Sequence, residues 1–243
     1  MKTISSQLSG ITIAKILFLS LGFILGANTL QAQSQRDLFR RVMPSVVIVH
    51  SEKKTAVHSA LETSMPTPPI GSGALISADG QVLTSASVVQ GAKQVEVEFF
   101  NGTRVSARVV ASSPFADVAL LQLERVPEKA IVAKLGDSSL TAIGDQVFMV
   151  GSSAGIAQSL AVSWVSARLA NEKTADAPVS LELLQLDAAV KTGNSGGPVF
   201  NLKGEVIGIV SHTLTKSNNA ARAGLAVTSN VARKLMLEGK KRQ

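Results

Sequence analysis

"VEVEFFNGTRVSARVV", Val95 to Val110, is the stretch that decides the fold class. Val95, Val97 and Phe99 alternate with Glu96 and Glu98, the period of a strand with one buried face and one wet face. Asn101-Gly102 follows. Asn-Gly between two such runs is the strongest short hairpin signal, because both residues tolerate the positive φ that a tight turn demands. The segment predicts two antiparallel strands.

The same style continues on both sides. "SGALISADGQVLTSA" has Asp79-Gly80 between two apolar runs, and "GPVFNLKGEVIGIVSH" turns around Asn201 to Gly204. "DVALLQL" and "QVFMVG" are further short strands, and "SVVIVH" is an earlier one, with His50 at its end. "GSSAG", Gly151 to Gly155, is expected in a loop between strands, and no phosphate-cradling glycine loop is found. Helical periodicity is confined to Leu38–Val42, which Pro44 ends, and to "SNVARKLMLEG" near the C-terminus. Ser51 to Pro69 is polar, ends in prolines and predicts a loop carrying His58. Many short strands with tight turns and little helix predict an all-β barrel or sandwich. Leu123 to Lys134 is the best linker between two similar β-halves.

Composition narrows the function. The chain has 243 residues, 45% hydrophobic, enough for a sizeable core, with no Tyr and one Trp, Trp164. Stacking platforms for nucleic acid are scarce, and much of the +7 charge lies in the tail "KKRQ". No nucleic-acid partner is expected. Lys2 and Lys15 precede the apolar run Ile16–Leu25, followed by "GANTLQAQ". Residues 1–32 therefore predict a secretory signal peptide, with an uncleaved anchor as the alternative and no stable membrane span beyond that segment. With no cysteine there is no disulfide framework. Export without disulfides suits a periplasmic or secreted bacterial protein. Three scattered histidines without cysteine give no metal-ligand spacing, so neither metal nor cofactor is expected.

"KTGNSGGPVF", Lys191 to Phe200, surrounds Ser195 with three glycines and a proline. A serine on such a turn is either a nucleophile with backbone N–H groups facing an oxyanion, or a loop residue. The wider segment "LDAAVKTGNSGGPVFNLKGEVIGIV" resembles the nucleophile region of trypsin-like serine proteases, specifically the HtrA (Deg) family. "GSGALISADGQVLTSASVV", "DVALLQL", "LGDSSLTAIGDQVFMVGSSAG" and "GLAVTSNVARKL" resemble further parts of that family in the same order, covering about Leu38 to Leu237. The resemblance implies a chymotrypsin/trypsin-like double β-barrel with short N- and C-terminal helices. The first barrel would span 33–128, and the second, with the helix, 129–243. HtrA proteins usually carry a PDZ module after the protease domain; none is expected in this chain. Peptide, unfolded protein or a partner protein is the implied ligand, and trimeric assembly stays open.

Carried over by residue, the resemblance sets Ser195 at the nucleophile position and Asp117 at the triad carboxylate. The oxyanion hole falls to the N–H groups of Gly193 and Ser195. The base position, just before the paired valines of "TSASVV", holds Ser87. Imidazole accepts the nucleophile's proton because its pKa lies near the working pH; a serine hydroxyl cannot. Losing a triad member has cost about 10⁴- to 10⁶-fold elsewhere. The first expectation is thus a pseudoprotease that binds peptide. An active endopeptidase with an unorthodox base and a structural scaffold are the alternatives. Substitute bases are few. His50 is expected to be structural or exposed, His58 solvated, Lys191 exposed, and His212 to line a substrate subsite. Ala189 and Val190 would form the primary pocket with Val210, Ser211 and His212 on the strand beside the peptide.

Overall fold

The computed structural model describes residues 35–53, 70–153, 156–171, 181–191, 193–215 and 222–240. The expected signal segment, His58 and the last three residues of the basic tail lie outside them. The chain divides into Met1–Arg40 and Arg41–Gln243. In the first unit, residues 35–40 are helical. The second holds everything below. No described helix is long and apolar enough to cross a membrane.

Six strands form the first closed barrel: β1 (Val46–Lys53), β2 (Ile70–Leu75), β3 (Gln81–Thr84), β4 (Ala92–Glu98), β5 (Arg104–Ser113) and β6 (Val118–Leu123). The β4–β5 hairpin closes at Gly102, whose φ is +80°, with Phe99 N–H donating to Thr103 O. Its alternation is kept, with Val95, Val97 and Phe99 buried among Val47, Val49, Leu75, Val82 and Leu121. β1 closes the barrel by pairing Val49 with Val97. That strand runs through His50 to Lys53, three residues further than the sequence suggested, because β4 is long enough to keep pairing with it. His50 therefore lies inside the strand, its Nε2 2.8 Å from Glu98 Oε2.

The second barrel follows β7 (Lys134–Leu135). It consists of β8 (Gln146–Ser153), β9 (Ile156–Asn171), β10 (Leu181–Leu186), β11 (Pro198–Phe200), β12 (Glu205–Thr215) and β13 (Arg222–Thr228). The order β11-β8-β9-β10-β13-β12 closes on itself through β11–β12 pairing, with β7 parallel to β12. Gly151 to Ser153 complete β8, pairing with β9, so the first three residues of "GSSAG" are strand; the other two lie outside the described residues. Val147, Met149, Val165, Leu184, Leu186, Val199 and Ile207 fill this barrel.

Besides two short 3-10 turns, Met43–Ser45 and Ser138–Leu140, the described residues of this unit form the helices α1 (Ala86–Val89) and α2 (Ser229–Lys240). α1 is a single turn that the sequence reading missed. α2 buries Val231, Ala232 and Leu235, an i, i+1, i+4 stripe. A Cβ at its Gly239 would stand 3.1 Å from Ala111 Cβ on β5, so the last helix lies against the first barrel.

Candidate functional site

The loop around Ser195 is wedged between the two barrels. Ser72 on β2 reaches it twice: its N–H donates to Ser195 O at 2.8 Å, and its Oγ donates to Gly193 O at 2.7 Å. Ser72 Oγ also accepts from Ser152 N–H on β8 at 2.9 Å. One hydroxyl thus ties the loop to both barrels. On the other side Gly196 N–H donates to Val210 O at 2.7 Å and Val210 N–H to Gly197 O at 2.8 Å. The loop needs its glycines for space as well as for φ. Gly196 has φ +83°, and a Cβ there would lie 2.3 Å from Ser72 O and from Thr84 Oγ1.

Ser195 is half-buried, and its Oγ donates to Ser211 O at 3.0 Å. Among the described residues neither Gly193 N–H nor Ser195 N–H makes a hydrogen bond.

Asp117 ends the turn before β6 with φ +49°, a left-handed conformation that Asp tolerates better than most residues. Its carboxylate accepts from three groups. Oδ1 takes Ser85 Oγ at 2.9 Å and Ser87 N–H at 2.8 Å, and Oδ2 takes Ser211 Oγ at 2.5 Å. Ser85 spends its proton on Asp117, so Ser87 Oγ, 2.5 Å from Ser85 Oγ, is the donor of that contact. Ser87 stands at the start of α1 with an exposed side chain.

Ser211 Oγ also lies 2.8 Å from His212 Nδ1. Ser195, Asp117 and His212 are therefore linked through Ser211, and Ser87 joins them through Asp117. Lys191 is exposed, and His50 is engaged with Glu98. Val190 packs against the second-barrel core, as does the neighbouring Ala188, and Ala189 is half-buried beside them. A Cβ at Gly224 on β13 would come within 2.7 Å of Ala188 O and 3.1 Å of Val190 Cγ2, so only glycine lets β13 pass this close to that segment.

Past Val210, one edge of β12 pairs with β13, while β11 and β7 pair only with its residues up to Ile209. Among the described residues the other edge has no strand beside it.

Ser72, Ser85 and Gly224 were missed by sequence reasoning. Ser72 is 121 residues from its partner Gly193, and no local pattern marks such a contact. Ser85 sits in "TSASVV", where one more small polar residue gives no signal. Among the described residues no three His, Asp or Glu side chains are grouped to hold a metal.

Comparison with known proteins agrees with the double-barrel fold. The family described as "Trypsin-like peptidase domain" matches residues 71–209. A Pseudomonas putida (strain GB-1) protein, "Probable periplasmic serine endoprotease DegP-like", is 37% identical over 163 residues, 67% of this chain and 33% of the relative. A Halomonas elongata protein of the same description is 35% identical over 179 residues, covering 69% and 37%. The chain thus spans about a third of the length of these relatives. Among solved structures, "HtrA-type protease AlgW with tripeptide" is similar with a TM-score of 0.69 and 26% identity, over 83% of this chain and 62% of that one. The "serine endoprotease from Yersinia pestis" has a TM-score of 0.65 and 28% identity, covering 84% and 65%.

Proposed function

Since the chain belongs to the trypsin-like peptidase family, and within it to the HtrA-type protease domains, we propose that it binds extended peptide in a peptidase cleft whose hydrolytic power is severely impaired. In this reading Ser195 is the nucleophile, Asp117 the triad carboxylate, and Ser87 stands where the base belongs. The periplasmic naming of its relatives and the N-terminal apolar segment support a periplasmic location.

One observation carries the proposal. Ser195 Oγ gives its hydrogen bond to a backbone carbonyl, Ser211 O, which cannot act as a base at neutral pH. The carboxylate that would orient an imidazole takes hydroxyl and backbone donors instead. The rest of the machinery supports binding. The N–H groups of Gly193 and Ser195 suit an oxyanion or a peptide carbonyl. The edge of β12 that no described strand covers, Ser211 to Thr213, suits an added strand, and the half-buried Ala189 and Val190 suit contact with a small or medium apolar side chain.

Titrating wild type against a fluorescein-labelled unfolded polypeptide tests this. Anisotropy is expected to rise while the polypeptide stays intact over hours. Absence of binding, or cleavage at the pace of an intact triad enzyme, refutes the reading.

A further inference from the structure

β12 carries a bulge at the site. Val210 pairs with Ala226 and Thr213 with Gly224, so two residues, Ser211 and His212, stand opposite the single Leu225. In a regular strand neighbouring side chains point to opposite faces, and Ser211 and His212 could not meet. A bulge re-aims a side chain, and here it sets His212 Nδ1 2.8 Å from Ser211 Oγ.

The hydrogen-bond chain fixes the imidazole's tautomer. Ser211 has one hydroxyl proton and gives it to Asp117 Oδ2. It can therefore only accept from His212, which places a proton on Nδ1 and leaves Nε2 with a lone pair when the ring is neutral. The order is His212 Nδ1–H to Ser211 Oγ–H to Asp117. This is the proton arrangement of a triad base with one hydroxyl interposed before the carboxylate. Ser195 Oγ is bonded to the carbonyl of the same Ser211, so nucleophile and imidazole are held by the two ends of one residue. His212 is exposed, and a substrate can reach its ring.

We propose that His212 is the base for slow acyl transfer at Ser195. This rests on the reading of Ser195 as the nucleophile of an impaired peptidase site. Ser195 Oγ turns away from Ser211 O and attacks an acyl carbonyl, and its proton passes to His212 Nε2. The imidazolium, still donating through Nδ1 to Ser211, is stabilised by Asp117 through that hydroxyl. Nε2 returns the proton to the leaving nitrogen or oxygen as its bond to the acyl carbon breaks. Water then attacks the acyl-serine, gives a proton to Nε2, and that proton goes back to Ser195 Oγ as the acid is released. Bonds and protons balance without a co-reactant.

The test is the rate at which a fluorophosphonate probe labels Ser195, followed by intact mass. Wild type is expected to label measurably and Ser195→Ala not at all. His212→Ala and His212→Gln should each slow labelling at least ~10²-fold, the lower end of what a positioned base contributes. Ser211→Ala, which cuts the relay, should slow it as well. Wild-type labelling too slow to detect, or His212 variants that label at the wild-type rate, overturn the proposal. Ser87→His run alongside separates the two failures. If it labels fast while His212→Ala changes nothing, only the His212 assignment falls. If it is folded and also fails to label, the peptidase reading falls with it.

Discussion

Gly196→Ala is expected to be one of the most damaging single substitutions in the chain. The added Cβ would lie 2.3 Å from both Ser72 O and Thr84 Oγ1 and 2.8 Å from Ser85 N, all in the first barrel. It would also sit on a residue with φ +83°, where an L side chain costs about 1–2 kcal/mol. Forcing extra volume into a packed region costs about 1–3 kcal/mol more. Displacing the loop also strains two hydrogen bonds, Ser72 N–H to Ser195 O and Gly196 N–H to Val210 O, each worth about 1 kcal/mol. Together these reach roughly 4–7 kcal/mol, a large share of the 5–15 kcal/mol typical of a domain. Gly91 supplies the control: its φ is +72°, but a Cβ there meets nothing within 4 Å. Urea unfolding of Gly91→Ala should show only the backbone part, about 1–2 kcal/mol. Should Gly196→Ala lose no more than Gly91→Ala, the wedging of the loop between barrels is wrong.

Two further predictions concern stability. Phe148 and Phe200 stack with centroids 5.8 Å apart, and Phe200 is fully buried. Phe200→Ala should cost about 3–5 kcal/mol, and a double-mutant cycle with Phe148→Ala should give a coupling of about 0.5–1.5 kcal/mol; additive losses would show that the stacking contributes nothing. Asp137 caps the turn Ser138–Leu140, and hydrogen bonds from Ser139 Oγ, Asn230 Nδ2 and Ser139 N–H lower its pKa from 3.8 to about 2. A lowered carboxylate stabilises the fold above its unfolded pKa and loses that contribution as pH falls through the folded one. Thermal unfolding of Asp137→Asn should therefore depend less steeply on pH between about 4 and about 2 than wild type, and an unchanged slope would contradict the cap.

The strands that were legible in the sequence are those whose pattern is local. Val95 to Phe99, Asp79-Gly80 and Asn201 to Gly204 each carry alternation or a turn within a few residues, and each is a strand or turn in the structure. β9 was not legible because its pattern is inverted. Leu160, Val162 and Trp164 are exposed on its outer face, while Ser163 is buried and satisfied by Asp187 at 2.6 Å. Hydrophobicity alone points such a strand the wrong way. The site divides similarly. Ser195, Asp117 and Ser87 sit in recognisable local segments, whereas the grip of Ser72 and Ser85 depends on chain-distant pairing. The Ser211–His212 contact depends on a one-residue slip between β12 and β13, which no property of "GIVSH" encodes. His212, expected to line a subsite, is therefore found hydrogen-bonded into the carboxylate's network.

The most direct measurement of the central claim is hydrolysis of an unfolded protein by Ser87→His, beside wild type and Ser87→His/Ser195→Ala. The account predicts at least a ~10²-fold gain from the restored imidazole, abolished when Ser195 is removed. A folded Ser87→His protein that cuts no faster than wild type would contradict the claim that Ser87 stands in the place of the base.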